Sequence, residues 1–191
     1  MFASSPSRFK AELVELTTVQ TTQCEEFPVA SMIPIVISIL RCKGRYLFLK
    51  RTNYPYENLW SLVGGKVGIG EHILEAAKRE VLEETGAASL TNYEYRGIVS
   101  ERLVQRDGAL VNHFLIFVGH GEISDYNESH REGELALFTL DEVKARQSEF
   151  LPSDRFMFDC FRTANCAAQV YEAELEHDQG VYKLNYYRKA V

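Results

Sequence analysis

The stretch that decides the reading runs from Gly65 to Ala87: Gly65-Lys66-Val67-Gly68-Ile69-Gly70-Glu71-His72-Ile73-Leu74-Glu75-Ala76-Ala77-Lys78-Arg79-Glu80-Val81-Leu82-Glu83-Glu84-Thr85-Gly86-Ala87. Its glycine-rich opening predicts a loop. That opening lacks both the GK[ST] ending of a phosphate loop and the G-x-G-x-x-G order of a dinucleotide site. From His72 the spacing becomes helical. Ile73, Leu74, Ala77 and Val81, with Ala76 alongside, make an apolar face, and Gly86 stands where a helix C-terminus is capped. The pattern predicts a helix over His72–Thr85.

The acids of that helix carry the chemistry. Glu80, Glu83 and Glu84 lie at i, i+3 and i+4, so their carboxylates project from one face, with Cβ atoms roughly 5–6 Å apart. Like charges at that spacing oppose helix formation, and a local rule broken in this way tends to mark a functional site. Clustered carboxylates suit a hard cation such as Mg2+, which completes its oxygen shell with water and substrate phosphate. A solvated acidic face is the plainer alternative, and a Glu75–Arg79–Glu83 ion-pair ladder serves it equally well.

Working outward, Ile33–Leu40 is a β-branched run that predicts a buried strand, and Tyr46–Lys50 predicts its hairpin partner across Lys43-Gly44. Leu59–Val63 predicts a short strand ending at Gly64-Gly65. Further strands are expected at Tyr93–Val99, His113–Val118 and Leu135–Thr139, and helices at 140–147 and 153–163. Val170–Leu175 and Val181–Tyr187 alternate around His177-Asp178-Gln179-Gly180, the pattern of a hairpin. Three segments follow: an arm at 1–30 that adds at most an edge strand, a main domain at 31–165, and a C-terminal hairpin at 166–191 packed on that domain or at an interface.

The chain has 191 residues and a formal charge of −6, with 46% hydrophobic residues, which describes a globular domain able to bury its own core, and the alternation of strands and helices makes its class α/β. The negative balance argues against an extended nucleic-acid groove. No apolar run approaches the ~18–20 residues of a membrane span. The polar N-terminus lacks a signal-like apolar stretch, and Cys24, Cys42, Cys160 and Cys166 have neither zinc-site spacing nor a disulfide framework. These features predict a cytoplasmic protein with reduced thiols.

Taken whole, Gly65–Ala87 resembles the Nudix box, G-x5-E-x7-R-E-U-x-E-E-x-G-U with U apolar, and fills every fixed position. With seven specified residues at roughly 6% usage each and two apolar positions, a random chain of this length matches about once in ten million. The likeness extends from about Ile33 to Asp159. It takes in Tyr46–Arg51, Leu59–Gly65 and the later acidic segment Arg131-Glu132-Gly133-Glu134 with Phe138 and Asp141-Glu142-Val143. Val63 replaces a proline that commonly precedes the glycine pair. Arg102 and Leu103 stand where a proline marks ADP-ribose subfamilies or a tyrosine marks diadenosine-polyphosphate subfamilies, so neither is supported.

The resemblance implies an α/β/α sandwich on a mixed sheet. It implies Mg2+-dependent, or Mn2+-dependent, hydrolysis of a nucleoside diphosphate linked to another group, by attack of water on phosphorus. Carried over by position, it makes Glu83 and Glu84 the main metal ligands, with Glu80 a direct or water-mediated one and the Gly64 or Gly65 carbonyl, Gly65 being carried forward, a backbone ligand. Arg79 orients the carboxylates. Glu71 supports that arrangement and, with Arg51, completes the substrate side. The general base stays open between Glu84 or Glu80 in the box and Glu128, Glu132 or Glu134 in the later segment, Glu134 being carried forward as the later candidate. Lys50 is the alternative to Arg51 for a phosphate. Trp60, Tyr54 and Tyr56 are candidates for base stacking, with a core role favoured for Trp60, and core or solvated roles are favoured for His113 and His130. The partners implied are a small nucleotide and, through the C-terminal hairpin, a second copy of the chain. Two competing readings are a non-catalytic nucleotide-binding sensor, disfavoured by the intact carboxylates, and a prenyl-diphosphate isomerase, for which no catalytic cysteine motif is present.

Overall fold

Strand β1 (Met32–Cys42) is the axis of the fold, and its two faces explain the layers. Val36 and Leu40 point to one side, where Val36 meets Ala76 and Ala77, while Ile37 and Ile39 point to the other and join a core with Met157, Phe158 and Phe161. Period-two alternation of a strand apolar on both faces requires a cover on each. The computed structural model describes residues 31–53, 56–163 and 169–190. The N-terminal arm at 1–30, Tyr54, Cys24 and Cys166 lie outside the described residues.

After β1 come β2 (Arg45–Arg51), β3 (Trp60–Ser61), β4 (Val63–Lys66), α1 (Ile73–Thr85), β5 (Thr91–Gln105) and β6 (Leu110–Glu122). They are followed by β7 (Ser129–His130), β8 (Gly133–Phe138), α2 (Leu140–Ala145), α3 (Pro152–Phe161), β9 (Gln169–Asp178) and β10 (Val181–Lys189). The sheet is mixed, in the order β10-β9-β5-β6-β1-β2-β8-β7, with β3 on β2 and β4 on β1. β1 runs parallel to β6 along its length, whereas its other edge is shared: Leu40–Cys42 pairs with β2 and Ile35–Ser38 with β4. This split lets the chain leave β4 beside the middle of β1 and deliver α1 to one sheet face.

The α1 boundaries follow the sequence. The His72 amide donates to Glu75 Oε2 at 3.0 Å, and Gly86 closes the helix at φ 66°, its amide donating to the Leu82 carbonyl. Leu74, expected on the apolar face, is instead 47% exposed, and the small Ala76 and Ala77 make the contact with the sheet. Helix α3 covers the opposite face, where Phe158 packs edge-on against Phe48 and Tyr46. Cys42 is a buried free thiol and Cys160 a partly buried one. Among the described residues no helix is long and apolar enough to cross a membrane.

The C-terminal strands extend this same sheet. β9 pairs in parallel with β5 from Gly97 to Gln105, and β10 returns antiparallel through Gln179 and Gly180, both at positive φ. Leu175 and Tyr182 are buried with Leu103 and Leu151 in a small cluster beside the main core.

Candidate active site

One cavity of about 540 Å3 opens where β1, β4, α1 and α3 approach each other, and it gathers carboxylates from four parts of the chain. From α1 come Glu80, Glu83 and Glu84, from the β7–β8 turn Glu132, from β5 Glu101 and from α3 Asp154. Arg51, Arg79, Arg131 and Lys66 supply the positive charge, and Ile33, Ile35, Phe114, Ile116 and Leu151 are among the apolar walls.

The approach of β4 to β1 depends on the glycine pair. A Cβ at Gly64 would stand 2.0 Å from the Val36 carbonyl oxygen, and one at Gly65 would stand 2.5 Å from the Glu80 carboxyl. The bare backbone therefore lets α1 present its acids directly under β4. Glu84 is 3% exposed and accepts a hydrogen bond from the Gly64 amide at 3.0 Å. Burial, and after it the charge of Glu132, push its carboxyl up to about 8; the Gly64 amide pulls down, Glu80 raises and Arg51 lowers. A carboxyl so far from water and beside other acids favours its protonated form.

Arg79 organises the rest of the helix face. Its Nε and one terminal nitrogen donate to the two oxygens of Glu71 at 2.8 and 2.9 Å, the other terminal nitrogen donates to Glu80 Oε1 at 2.7 Å, and the Lys66 carbonyl accepts at 3.1 Å. This is the paired-fork geometry in which guanidinium binds carboxylate most firmly. Arg79, and after it the Gly68 amide, hold the Glu71 carboxyl down to about 2. The box thus contains two kinds of glutamate, one neutralised by its neighbours and one left uncompensated.

The structure sets two of the expected site residues apart from the cavity. Glu71 does not line it: both its oxygens are bonded to Arg79 or the Gly68 amide, so it anchors the arginine as expected. Glu134 is exposed on β8 opposite Lys50 and lies off the cavity, because the tight turn at Arg131-Glu132 directs Glu132 inward in its place. Arg51 does line the cavity, 3.7 Å from Glu132, whereas its neighbour Lys50 points the other way with Nζ 5.8 Å from the Trp60 ring centre. Trp60 is 4% exposed in the core, against Phe138. His113 is hydrogen-bonded to the Ser100 hydroxyl at 2.9 Å and lies off the cavity, as does His130. Glu101 and Asp154 went unread in the sequence, although Glu101 falls at an inward position between Val99 and Leu103, a parity that flags a buried acid.

The residues present fit a hard divalent cation. All the donors near Gly65 are oxygens, and a buried carboxylate with one amide partner lacks charge compensation. Among the described residues no three acidic, histidine or cysteine groups already converge as a cage. A cation of the Mg2+ type takes only one or two carboxylates and completes its shell with water and phosphate, so no such cage is required.

A mixed sheet covered by helices on both faces, with the glycine-rich loop, the helix and its acids at one end, defines a family. The chain belongs to it: the NUDIX domain model matches residues 32–159. The chain is similar to the mitochondrial NAD(P)H pyrophosphatase NUDT13 of Mus musculus, 31% identical over 112 residues, which is 59% of this chain and 31% of the mouse protein. It is 46% identical over 50 residues to a putative 8-oxo-dGTP diphosphatase of Bacillus subtilis (strain 168), covering 26% of this chain and 32% of that one. The chain thus spans about a third of the length of these curated relatives. Among solved structures the mutator MutT protein of Bacillus halodurans superposes with a TM-score of 0.64 at 24% identity, covering 83% of this chain and 98% of that one. The last likeness is one of fold.

Proposed function

We propose that this protein hydrolyses a diphosphate bond in a nucleoside diphosphate linked to another group. The observation that carries the reading is Glu84, a carboxyl 3% exposed and bonded to the Gly64 amide, facing a cavity that also holds Glu80, Glu83 and Glu132. Burying an acid without compensation costs on the order of several kcal/mol, so its retention beside three others calls for a ligand. The relatives whose names include a pyrophosphatase and a diphosphatase support the same bond type.

One or two of Glu80, Glu83 and Glu84, with the Gly65 carbonyl, would hold Mg2+, or Mn2+ in its place. When bound, the cation supplies neutralisation of the diphosphate and polarisation of the attacked phosphorus. Arg79 holds Glu80 in place while Glu71 holds Arg79, so the helix face is preorganised before substrate arrives. Arg51, which lines the cavity 3.7 Å from Glu132, would bind a phosphate oxygen. The candidates for general base are Glu84, Glu80 and Glu132, which line the cavity, whereas Glu128 and Glu134 stand off it.

The test is product release from nucleoside triphosphates, nucleotide sugars, ADP-ribose, NADH and dinucleoside polyphosphates with Mg2+, with Mn2+ and with chelator. Metal-dependent turnover of one class is expected. Glu84→Gln keeps an acceptor for the Gly64 amide and is expected to lower kcat by at least about a hundredfold while the protein stays folded. Silence across the panel with nucleotide binding intact would replace the hydrolase with a binding module.

A further inference from the structure

The C-terminal hairpin reaches the cavity through one side chain. β9 and β10 lie beyond the residues that the family model matches, yet Tyr182 on β10 is 9% exposed and packs in a cluster that includes the cavity-lining Leu151. Its hydroxyl accepts a hydrogen bond at 3.1 Å from the amide of Tyr56, 126 positions earlier, and the two rings meet with centroids 4.8 Å apart. Tyr56 in turn lines the cavity. Tyr182 also stacks on His177, its cross-strand partner on β9, with ring centroids 4.6 Å apart and planes 19° apart. The Gly180 amide in the hairpin turn donates to His177 Nε2 at 3.2 Å. Turn, His177, Tyr182 and Tyr56 thus form one continuous series of contacts from the hairpin to the cavity.

Tyr56 needs such a hold. Its φ is 78° and that of Asn58 is 65°, left-handed values that a bulky aromatic residue rarely adopts and that persist only where the surroundings enforce them. The base of the loop is tied to the body of the protein. The Arg51 amide donates to the Leu59 carbonyl at 3.1 Å and the Asn58 amide to the Arg51 carbonyl at 2.8 Å, while the Thr52 amide and hydroxyl donate to the Glu132 carbonyl at 2.9 and 3.0 Å. The Tyr56 amide, by contrast, is bonded to a side chain of another element.

We propose that Tyr182 is a positioning residue for substrate binding: by accepting from the Tyr56 amide it holds Tyr56 in the cavity wall, and so makes the C-terminal hairpin part of the substrate site. The inference rests on the reading that a nucleoside diphosphate derivative occupies the cavity. Tyr182 does not itself line the cavity, and Glu80 and Glu84 are held by Arg79 and the Gly64 amide without it. Its loss therefore acts on affinity and leaves the chemical step alone. A residue that only stabilised the fold would behave otherwise, lowering the active fraction, and with it kcat, at constant KM.

The test is Tyr182→Phe in the full chain, which keeps the ring contacts with Tyr56 and His177 and removes only the hydroxyl. Hydrogen exchange of the Tyr56 amide, read by NMR, is expected to be at least about tenfold faster than in wild type. For a compound of the panel that turns over, KM is expected to rise about three- to tenfold, the range of one hydrogen bond, while kcat stays within about twofold. Tyr56→Gly removes the ring and suits the left-handed φ; it is expected to raise KM on its own, and in that background Tyr182→Phe should add no more than about 1.5-fold. Unchanged exchange, an unmoved KM, a fall in kcat at constant KM, or the full KM rise in the Tyr56→Gly background would overturn the proposal. Turnover with an unmoved KM would leave the hydrolase standing without this role for Tyr182. Where no compound turns over, the hydrolase reading falls and the Kd of ADP with Mg2+, measured by calorimetry, takes the place of KM. A Kd weakened by Tyr182→Phe would then leave the positioning role standing, and an unmoved Kd or no binding would overturn it.

Discussion

Replacing Glu101 with glutamine should change how stability depends on pH, in a direction fixed by its surroundings. Burial and Asp154 raise this carboxyl from 4.5 to about 8 in the folded protein. A carboxyl that holds its proton more tightly folded than unfolded contributes stability that is fully present below the unfolded value and is lost as pH rises through the folded one. The window here runs from about pH 4.5 to about pH 8. At 1.36 kcal/mol per pH unit the ceiling is about 5 kcal/mol, and the higher effective dielectric of real interiors leaves about 2 kcal/mol as the working figure. The groups facing Glu101 are Asp154 and Ser153 from α3, Tyr56 from the loop after β2 and Tyr187 from β10; both phenols are raised and stay neutral in this window. Its sheet neighbours, Phe114 and Ala173, carry no charge. Denaturant unfolding in chelator at pH 5 and pH 8.5 reads the effect. Wild type should lose about 2 kcal/mol more than Glu101→Gln across that interval, a relative shift in Tm of roughly 4–8 °C. Parallel pH slopes for the two proteins would refute the account of Glu101 as a buried, protonated acid.

Four further outcomes follow from the geometry. Arg79→Ala leaves Glu71 and Glu80 without their shared cation and should lower kcat/KM by at least about a hundredfold, against about 1 kcal/mol of stability in a denaturant melt, because the guanidinium is partly solvated. Gly64→Ala sets a Cβ 2.0 Å from the Val36 carbonyl and should destabilise by about 2 kcal/mol or more, read by thermal melting. Arg51→Ala should raise KM about tenfold or more, while Lys50→Ala, facing Trp60, should leave it within about twofold in the same steady-state assay. Leu175→Ala removes a fully buried side chain from the cluster that seats β9 and should cost about 2–5 kcal/mol by denaturant unfolding.

The strand and helix order was readable because apolar spacing and turn residues agreed with it. Lys43-Gly44 and Gln179-Gly180 both adopt the positive φ that a two-residue hairpin needs. The lengths were less readable. The segments read as Tyr93–Val99 and His113–Val118 belong to strands of 15 and 13 residues, since the polar stretches that follow and precede them pair with each other across Asp107-Gly108. Arg102, for example, stays in the strand by meeting Glu174 on β9 at 3.2 Å, a partner seventy-two positions away that no local pattern contains.

The same distinction applies to the site. The box was legible because its spacing is contained in one loop and one helix, so the acids and the arginine that sorts them are local. The distribution of charge among them was not: Glu71 and Glu84 are the same residue in one motif, yet Arg79 holds the first down to about 2 while burial lifts the second to about 8. Roles that depend on a second element were further out of reach. Glu132 and Glu134 differ in sequence by two positions, and only the turn between β7 and β8 decides which enters the cavity. Asp154 looks like any acid in a helix's first turn, where the helix dipole favours it, until the Leu62 amide 92 positions earlier is seen to bind it. The acids and the arginine of the box are thus written in one contiguous motif, while the buried acids at the other end of the cavity are assembled from β5 and α3, where no local pattern joins them.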